Sequence, residues 1–152
     1  MKKIVGLILL KTEDEYRREY EITYLHSNFH LHDIPVVFSE RDFDHIFFEP
    51  SGSSIGNQFS FRRAKRMNFM KEILSGEIDI EIMFEPDRGT IALFCEDLEC
   101  VMYLRIRPRS GTLQVGTFFD FGKAHTQMYN KQKKKCVPIT IEELKERIKD
   151  KI

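Results

Sequence analysis

After Gly76 the pattern of apolar residues changes to a period of two, clearest over Ile78 to Phe84. That period of two constrains the fold more than any other feature of the chain. Ile78, Ile80, Ile82 and Phe84 alternate with Glu77, Asp79, Glu81 and Glu85. Pro86-Asp87-Arg88-Gly89 is a turn signal, and Thr90 to Cys95 reads as a second strand. Glu99 to Arg107 reads as a third, Pro108-Arg109-Ser110-Gly111 turns the chain again, and Thr112 to Phe121 reads as a fourth. Strict alternation puts Leu113, Val115, Thr117 and Phe119 on one face of that last strand. Connections this short join antiparallel neighbours, so the pattern predicts a meander.

Helical signals precede this region. Lys3 to Leu10 reads as a first strand, and Thr12-Glu13-Asp14-Glu15 as a capping box. The helix it opens runs to Tyr24, with Tyr16, Tyr20 and Tyr24 at i, i+4 spacing. Ile34 to Phe38 is a short strand, and Ser39 caps a helix through Phe48. Pro50 ends that helix, and a Gly/Ser loop over 51–57 comes next. Ser60 caps the next helix, Phe61 to Leu74, which Gly76 stops. Beyond the meander, Gly122 to Lys135 is a basic loop or weak helix. Thr140-Ile141-Glu142-Glu143 then caps a final amphipathic helix carrying Ile141, Leu144 and Ile148. The expected class is α+β: N-terminal helices packed on a four-stranded antiparallel meander sheet, with a C-terminal helix. We expect one domain over 1–152: an N-terminal strand and helix appendage to 33, a core over 34–131, and the last helix in 132–152.

Lys and Arg number 24, as do Asp and Glu, so the formal net charge is zero. That argues against a protein coated in nucleic acid but allows a local basic cleft. Charge is segregated: 62–71 and 123–135 are basic, and 77–99 is acidic. Three cysteines, Cys95, Cys100 and Cys136, read as reduced thiols and point to the cytoplasm. Cys95 and Cys100 lack a second pair to complete a zinc site. His26, His30, His32 and Asp33 form a histidine-rich segment, but neither helix nor strand aligns all three rings, so no metal is expected. The apolar run after Met1 is too short and lacks a cleavage site for a signal peptide. No stretch is long enough to span a membrane, so none is expected as a partner.

The chemistry concentrates in Asp42-Phe43-Asp44-His45-Ile46-Phe47-Phe48 and, one loop later, Phe59-Ser60-Phe61-Arg62-Arg63-Ala64-Lys65-Arg66. A titratable imidazole beside guanidinium groups suits metal-free phosphate chemistry. Cations at a helix start oppose the macrodipole, which favours a functional reason for them over a structural one. With the strand Val115-Gly116-Thr117-Phe118-Phe119, these segments resemble the phage and prophage nucleases of the barnase–EndoU–colicin–RelE (BECR) superfamily. The resemblance covers Ile34 to Lys131. It implies a small metal-independent endoribonuclease, of phage or toxin type. Such an enzyme cleaves RNA by attack of the 2′-OH and leaves a 2′,3′-cyclic phosphate. The implied partners are RNA and a protein inhibitor or regulator, with no cofactor.

Carried onto this chain, the resemblance implies catalytic roles for His45, Arg66 and Thr117, with Arg62 and Arg63 as further helix-start cations. Phe69 stands where members of the superfamily often have Trp. The residues themselves add candidates. Arg105 and Arg107 share a sheet face with Tyr103, a basic aromatic floor for RNA, or else they pair with acidic residues across strands. Lys65 extends the basic helix, and Lys123, His125 and Tyr129 come after the last strand, with His125 as the alternative acid or base. His45 could equally be a packed helix histidine among Phe43, Phe47 and Phe48. Two other readings are an inert nucleic-acid- or protein-binding module on this scaffold, and a domain that docks a basic partner through 77–99.

Overall fold

The computed structural model describes residues 6–50, 57–122 and 125–150. Helix α1 (Glu13–Tyr20) starts where the capping box predicts, with the Glu15 N–H donating to Thr12 Oγ1 at 3.2 Å. It continues into a π-helical turn, Glu21–Leu25. Tyr16, Tyr20 and Tyr24 all point into the core and are at most 2 % exposed. The strand expected over Lys3 to Leu10 is absent from its described part: Gly6 to Leu10 is irregular. Its backbone groups are taken locally instead. Ile8 N–H donates to the Lys65 carbonyl at 2.8 Å, and the Tyr16 hydroxyl bridges Ile8 C=O at 2.7 Å and Leu10 N–H at 3.0 Å.

Strands β1 (Phe29–Leu31) and β2 (Ile34–Val37) form a hairpin around His32 and Asp33, with His32 at φ 56°. Helix α2 (Asp42–Phe47) begins three residues after Ser39. Ser39 is therefore not its cap; the Asp42 carboxylate reaches back to accept the Ser39 N–H at 3.0 Å. The helix ends at Phe47, and β3 (Phe48–Pro50) pairs antiparallel with β4 (Asn57–Phe59) in a separate two-stranded ribbon. The expected loop over 51–57 falls largely outside the described residues.

The single helix expected over Phe61 to Leu74 is two: α3 (Phe61–Ala64) and α4 (Asn68–Ser75). Ser60 caps the first through the Arg63 N–H at 3.2 Å, and Gly76 ends the second at φ 81°. The break lies at 65–67, where the backbone bonds shorten to i→i−3: Arg66 N–H donates to the Arg63 carbonyl and Met67 N–H to the Ala64 carbonyl, both at 3.0 Å. The Lys65 carbonyl, which the Phe69 N–H would take in a continuous helix, accepts the Ile8 N–H instead, and the Phe69 N–H turns to the Arg66 carbonyl at 2.9 Å. In the first turn of α4 the Tyr24 hydroxyl donates to the Met67 carbonyl and accepts the Lys71 N–H at 3.2 Å.

Strands β5 (Glu81–Glu85), β6 (Thr90–Cys95), β7 (Cys100–Arg107) and β8 (Thr112–Asp120) pair antiparallel in chain order. Helix α5 (His125–Lys133), the two-residue β9 (Val137–Pro138) and α6 (Ile141–Asp150) complete the chain. The reciprocal capping box of α6 is formed, Glu143 N–H to Thr140 Oγ1 at 3.1 Å and Thr140 N–H to Glu143 Oε1 at 3.2 Å.

The expectation of a four-stranded antiparallel meander is overturned. The sheet is seven-stranded, mixed and curled into a half-barrel, in the order β1-β2-β8-β7-β6-β5-β9. Strand β2 lies parallel to β8, with Val36 opposite Leu113, and β9 closes the other side antiparallel to β5. Of the added strands, β2 is the short strand expected over Ile34 to Phe38, while β1 and β9, three and two residues long, are too short to show a period in sequence.

The face assignment of the fourth predicted strand also fails. Tyr103 pairs with Thr117 and Leu104 with Val115, so Gly116 is an extra, bulged residue. A bulge re-aims the side chains beyond it. Leu113, Val115 and Phe118 therefore face the main core, while Thr117 and Phe119 face the other side. The main core joins the α1 tyrosines, Phe43, Ile46 and Phe47 of α2, Met70 and Ile73 of α4, and Leu144 and Ile148 of α6. Tyr20 alone meets Tyr24, Phe38, Phe43 and Phe47 at ring centroid distances of 5.5–6.3 Å. A second, smaller core covers the opposite sheet face: Met83, Ala92, Phe94 and Val101 beneath Tyr129 of α5 and Cys136.

Candidate active site

On that second face, beside α5, opens a cleft of about 660 Å³. Cross-strand pairing brings its floor together. Glu85, Thr90 and Arg105 stand opposite one another on β5, β6 and β7, and Tyr103 stands opposite Thr117. The bulge at Gly116 turns Thr117 and Phe119 toward it, and the residue itself contributes bare backbone to the lining. Its side walls are His45, from α2 packed along β8, and Gln132 and Lys135 around the end of α5. Asp87 and Arg88 come from the β5–β6 turn. The charged lining is thus two carboxylates, three permanent cations and one imidazole.

Glu85 is a carboxylate with 7 % of its side chain exposed. Thr90 Oγ1 donates to its Oε1 at 3.3 Å, and Arg88 Nε stands 3.7 Å from the same oxygen. Among the described residues no hydrogen bond reaches Oε2. Tyr103 lies over Phe119 at 6.1 Å with an interplanar angle of 30°. Burial first, then the neighbouring Cys136 and Glu85, pushes the Tyr103 phenol up to about 12. It stays a neutral donor through the physiological range. The Arg105 side chain is 57 % exposed, and its Nη2 lies 3.9 Å from Asp42 Oδ1. Its fork is open to an anion in the cleft.

Of the residues singled out from sequence, the cleft gathers His45, Tyr103, Arg105 and Thr117. The basic helix does not join them. Arg62 Nη1 bonds Asp120 Oδ1 at 2.6 Å, its Nη2 lies 3.7 Å from Glu49 Oε1, and Arg66 Nε lies 3.8 Å from Asp120 Oδ2. Arg66 Nη1 also donates to the Arg62 carbonyl at 2.6 Å. Arg63 is half-buried and donates from Nη1 to the carbonyls of Phe48 at 3.2 Å and Ile46 at 3.5 Å. It closes the C-terminal end of α2. Its Nε is buried without a hydrogen bond, 3.9 Å from Glu49 Oε2, and burial lowers its pKa. Lys65 is half-buried in the α3–α4 break, its carbonyl taken by Ile8.

The remaining candidates scatter. Arg107 is exposed near the end of β7, on the Arg105 face but beyond the cleft. Tyr129 is buried against Phe94 and Phe121, with centroids at 5.2 and 5.9 Å, and belongs to the second core. Lys123 lies outside the described residues, as does the side chain of His125, whose backbone opens α5. Cys95 and Cys100 are free, buried and directly opposite each other. The Cys100 hydrogen bond lowers the Cys95 thiol, and burial raises that of Cys100. Among the described residues no three His, Cys, Asp or Glu side chains are grouped to hold a metal ion. Nor is any described helix long and apolar enough to cross a membrane.

Glu85, Arg88 and Lys135 line the cleft without having been singled out. Glu85 reads in sequence as one more acid on a solvated strand face. A signal was available: Met83 interrupts the acids on that face, and Ile91-Ala92-Leu93-Phe94-Cys95 is apolar without alternation. A run apolar on both faces belongs to a strand covered on both sides.

No protein-family model, no curated protein and no solved structure matches this chain.

Proposed function

We propose that the protein is a metal-independent endoribonuclease of the phage type that its motifs resemble, acting on RNA in the cytoplasm. The observation that carries the reading is that one cleft takes in His45, Glu85, Tyr103, Arg105 and Thr117. Cleavage by 2′-OH attack needs a base for that proton, an acid for the leaving 5′-oxygen, and fixed donors for the phosphorane. Of the titratable groups in the cleft, Glu85 and His45 take the two acid–base roles. The buried carboxylate with its free Oε2 takes the 2′-OH proton, and the exposed imidazole delivers one to the 5′-oxygen. Arg105, with Lys135 at the rim, offsets charge on the phosphate. The neutral Tyr103 hydroxyl and Thr117 are donors to it, and the Tyr103 ring is a stacking surface for a base.

The test is cleavage of a labelled RNA oligomer in EDTA. Expected products carry a 2′,3′-cyclic phosphate, and an oligomer with 2′-deoxyribose at the cleavage site is left intact. His45→Ala and Glu85→Gln should each lose roughly 10²–10⁴-fold in rate. Cleavage of the deoxy oligomer, or full activity in both variants, would overturn the assignment. RNA bound but left whole would instead support the inert binding module.

A further inference from the structure

Asp42 is a carboxylate with only 2 % of its side chain exposed, and it is held from three elements at once. Oδ2 accepts the Ser39 N–H at 3.0 Å. The Gln114 amide of β8 donates to Oδ2 at 3.1 Å and to Oδ1 at 3.3 Å. Oδ1 faces the Arg105 guanidinium of β7 at 3.9 Å. Closing the turn at Ser39 accounts for a short acidic side chain, but such a cap works equally well at the surface. It does not require a charge buried against the sheet, where an unpaired carboxylate is costly. A neutral amide from Gln114 satisfies oxygen atoms, whereas the nearby guanidinium is what balances charge.

Two consequences meet at the cleft. Asp42 and His45 are three residues apart on α2, so they share a face of the helix. Fixing Asp42 to Gln114 therefore fixes where His45 stands relative to β8. Arg105 carries a long, mostly exposed side chain with several free rotors. Among the described residues Asp42 is its ion-pair partner, on the side away from solvent.

We infer that Asp42 is a positioning residue: its carboxylate aims the Arg105 guanidinium into the cleft and seats the helix that carries His45. This rests on the cleft being the catalytic site proposed above. Asp42→Asn keeps the shape and a hydrogen-bond acceptor for Ser39 while removing the charge. On RNA it should lower kcat ten- to a hundredfold with KM changed less than threefold, the scale expected of a small misplacement. In an Arg105→Ala background the same change should cost less than threefold. Equal losses in both backgrounds mean a merely structural role and overturn the inference.

A second measurement separates this from failure of the ribonuclease reading. In wild type the Arg105 Nε–Hε nuclear magnetic resonance should carry a chemical shift set by the Asp42 carboxylate facing its guanidinium, and that resonance should move in Asp42→Asn. An unchanged resonance overturns the positioning role whether or not RNA is cleaved. Should Asp42→Asn not fold, Gln114→Ala removes one tie on the carboxylate while leaving the Arg105 side chain, its cross-strand neighbour, in place. It should move the Arg105 resonance in the same direction to a smaller degree, and no shift overturns the inference.

Discussion

Arg62 and Asp120 provide the sharpest test of what the basic helix is for. Asp120 is 7 % exposed at the end of β8, and Arg62 Nη1 reaches its Oδ1 at 2.6 Å from α3. A charge-assisted hydrogen bond of this kind contributes about 1.5–3 kcal/mol. The more distant Arg66, at 3.8 Å, adds up to roughly 0.5 kcal/mol. Removing Asp120 leaves an arginine that is 45 % exposed and can hydrate, so Asp120→Ala should cost about 2 kcal/mol. Arg62→Ala strands the buried carboxylate with Arg66 alone and should cost somewhat more, about 2–3 kcal/mol. For a chain of 152 residues each kcal/mol moves Tm by roughly 2–4 °C, so both variants should melt about 4–12 °C lower. The double variant should melt close to the worse single one, giving a coupling of about 1.5–2 kcal/mol in the cycle. Thermal melts by circular dichroism measure this, and RNA cleavage well below Tm should change less than about threefold in Arg62→Ala. If Arg62→Ala melted within about 1 °C of wild type while RNA binding collapsed, the guanidinium would belong to the substrate and not to Asp120.

Tyr24→Phe removes the buried hydroxyl that bonds the Met67 carbonyl and the Lys71 N–H in the first turn of α4. It should destabilise by about 1–3 kcal/mol in urea unfolding and change the hydrogen exchange of the Lys71 amide, and unaltered exchange would refute that bond. The Cys136 thiol is pushed up to about 11 by burial. At pH 8 its alkylation by iodoacetamide should run roughly two orders of magnitude slower than that of a free thiol, and a free-thiol rate would refute the burial. The Glu49 carboxyl is held below the usual range by the Ser60 hydroxyl first, then by Arg63 and Arg62. A depressed folded pKa stabilises above the ordinary carboxylate range and loses that contribution as pH falls through the lowered value. The stability gap between wild type and Glu49→Gln should therefore be widest near neutrality and close in acid; a gap independent of pH would contradict the ion pairing.

How much was legible in sequence depended on whether the signal was local. Both capping boxes, the Gly76 stop and the four antiparallel neighbours β5 to β8 arise from period, turn chemistry and side-chain reach over a few residues. His45, Tyr103, Arg105 and Thr117 were singled out from motif and alternation, and one cleft receives them. The basic run misled for a physical reason. Sequence shows that cations at a helix start need an explanation, but not that Asp120 and Glu49, distant along the chain, supply it. Glu85 was missed because an acid on a strand reads as solvated unless the cover over that face is known.

Local chemistry was thus enough for the two capping boxes, the Gly76 stop and the turns of the meander, each set by neighbours within one turn or one hairpin, but not for the strand expected over Lys3 to Leu10 or the cap expected at Ser39. Three outcomes depended instead on partners far apart in the chain and came only with the packed fold. β2 joined β8 in parallel, the Ile8 N–H took the Lys65 carbonyl where one expected helix is two, and the bulge at Gly116 turned Thr117 and Phe119 to the second face. The last of these settled where the cleft lies, because one extra residue in a strand exchanges the faces of everything beyond it.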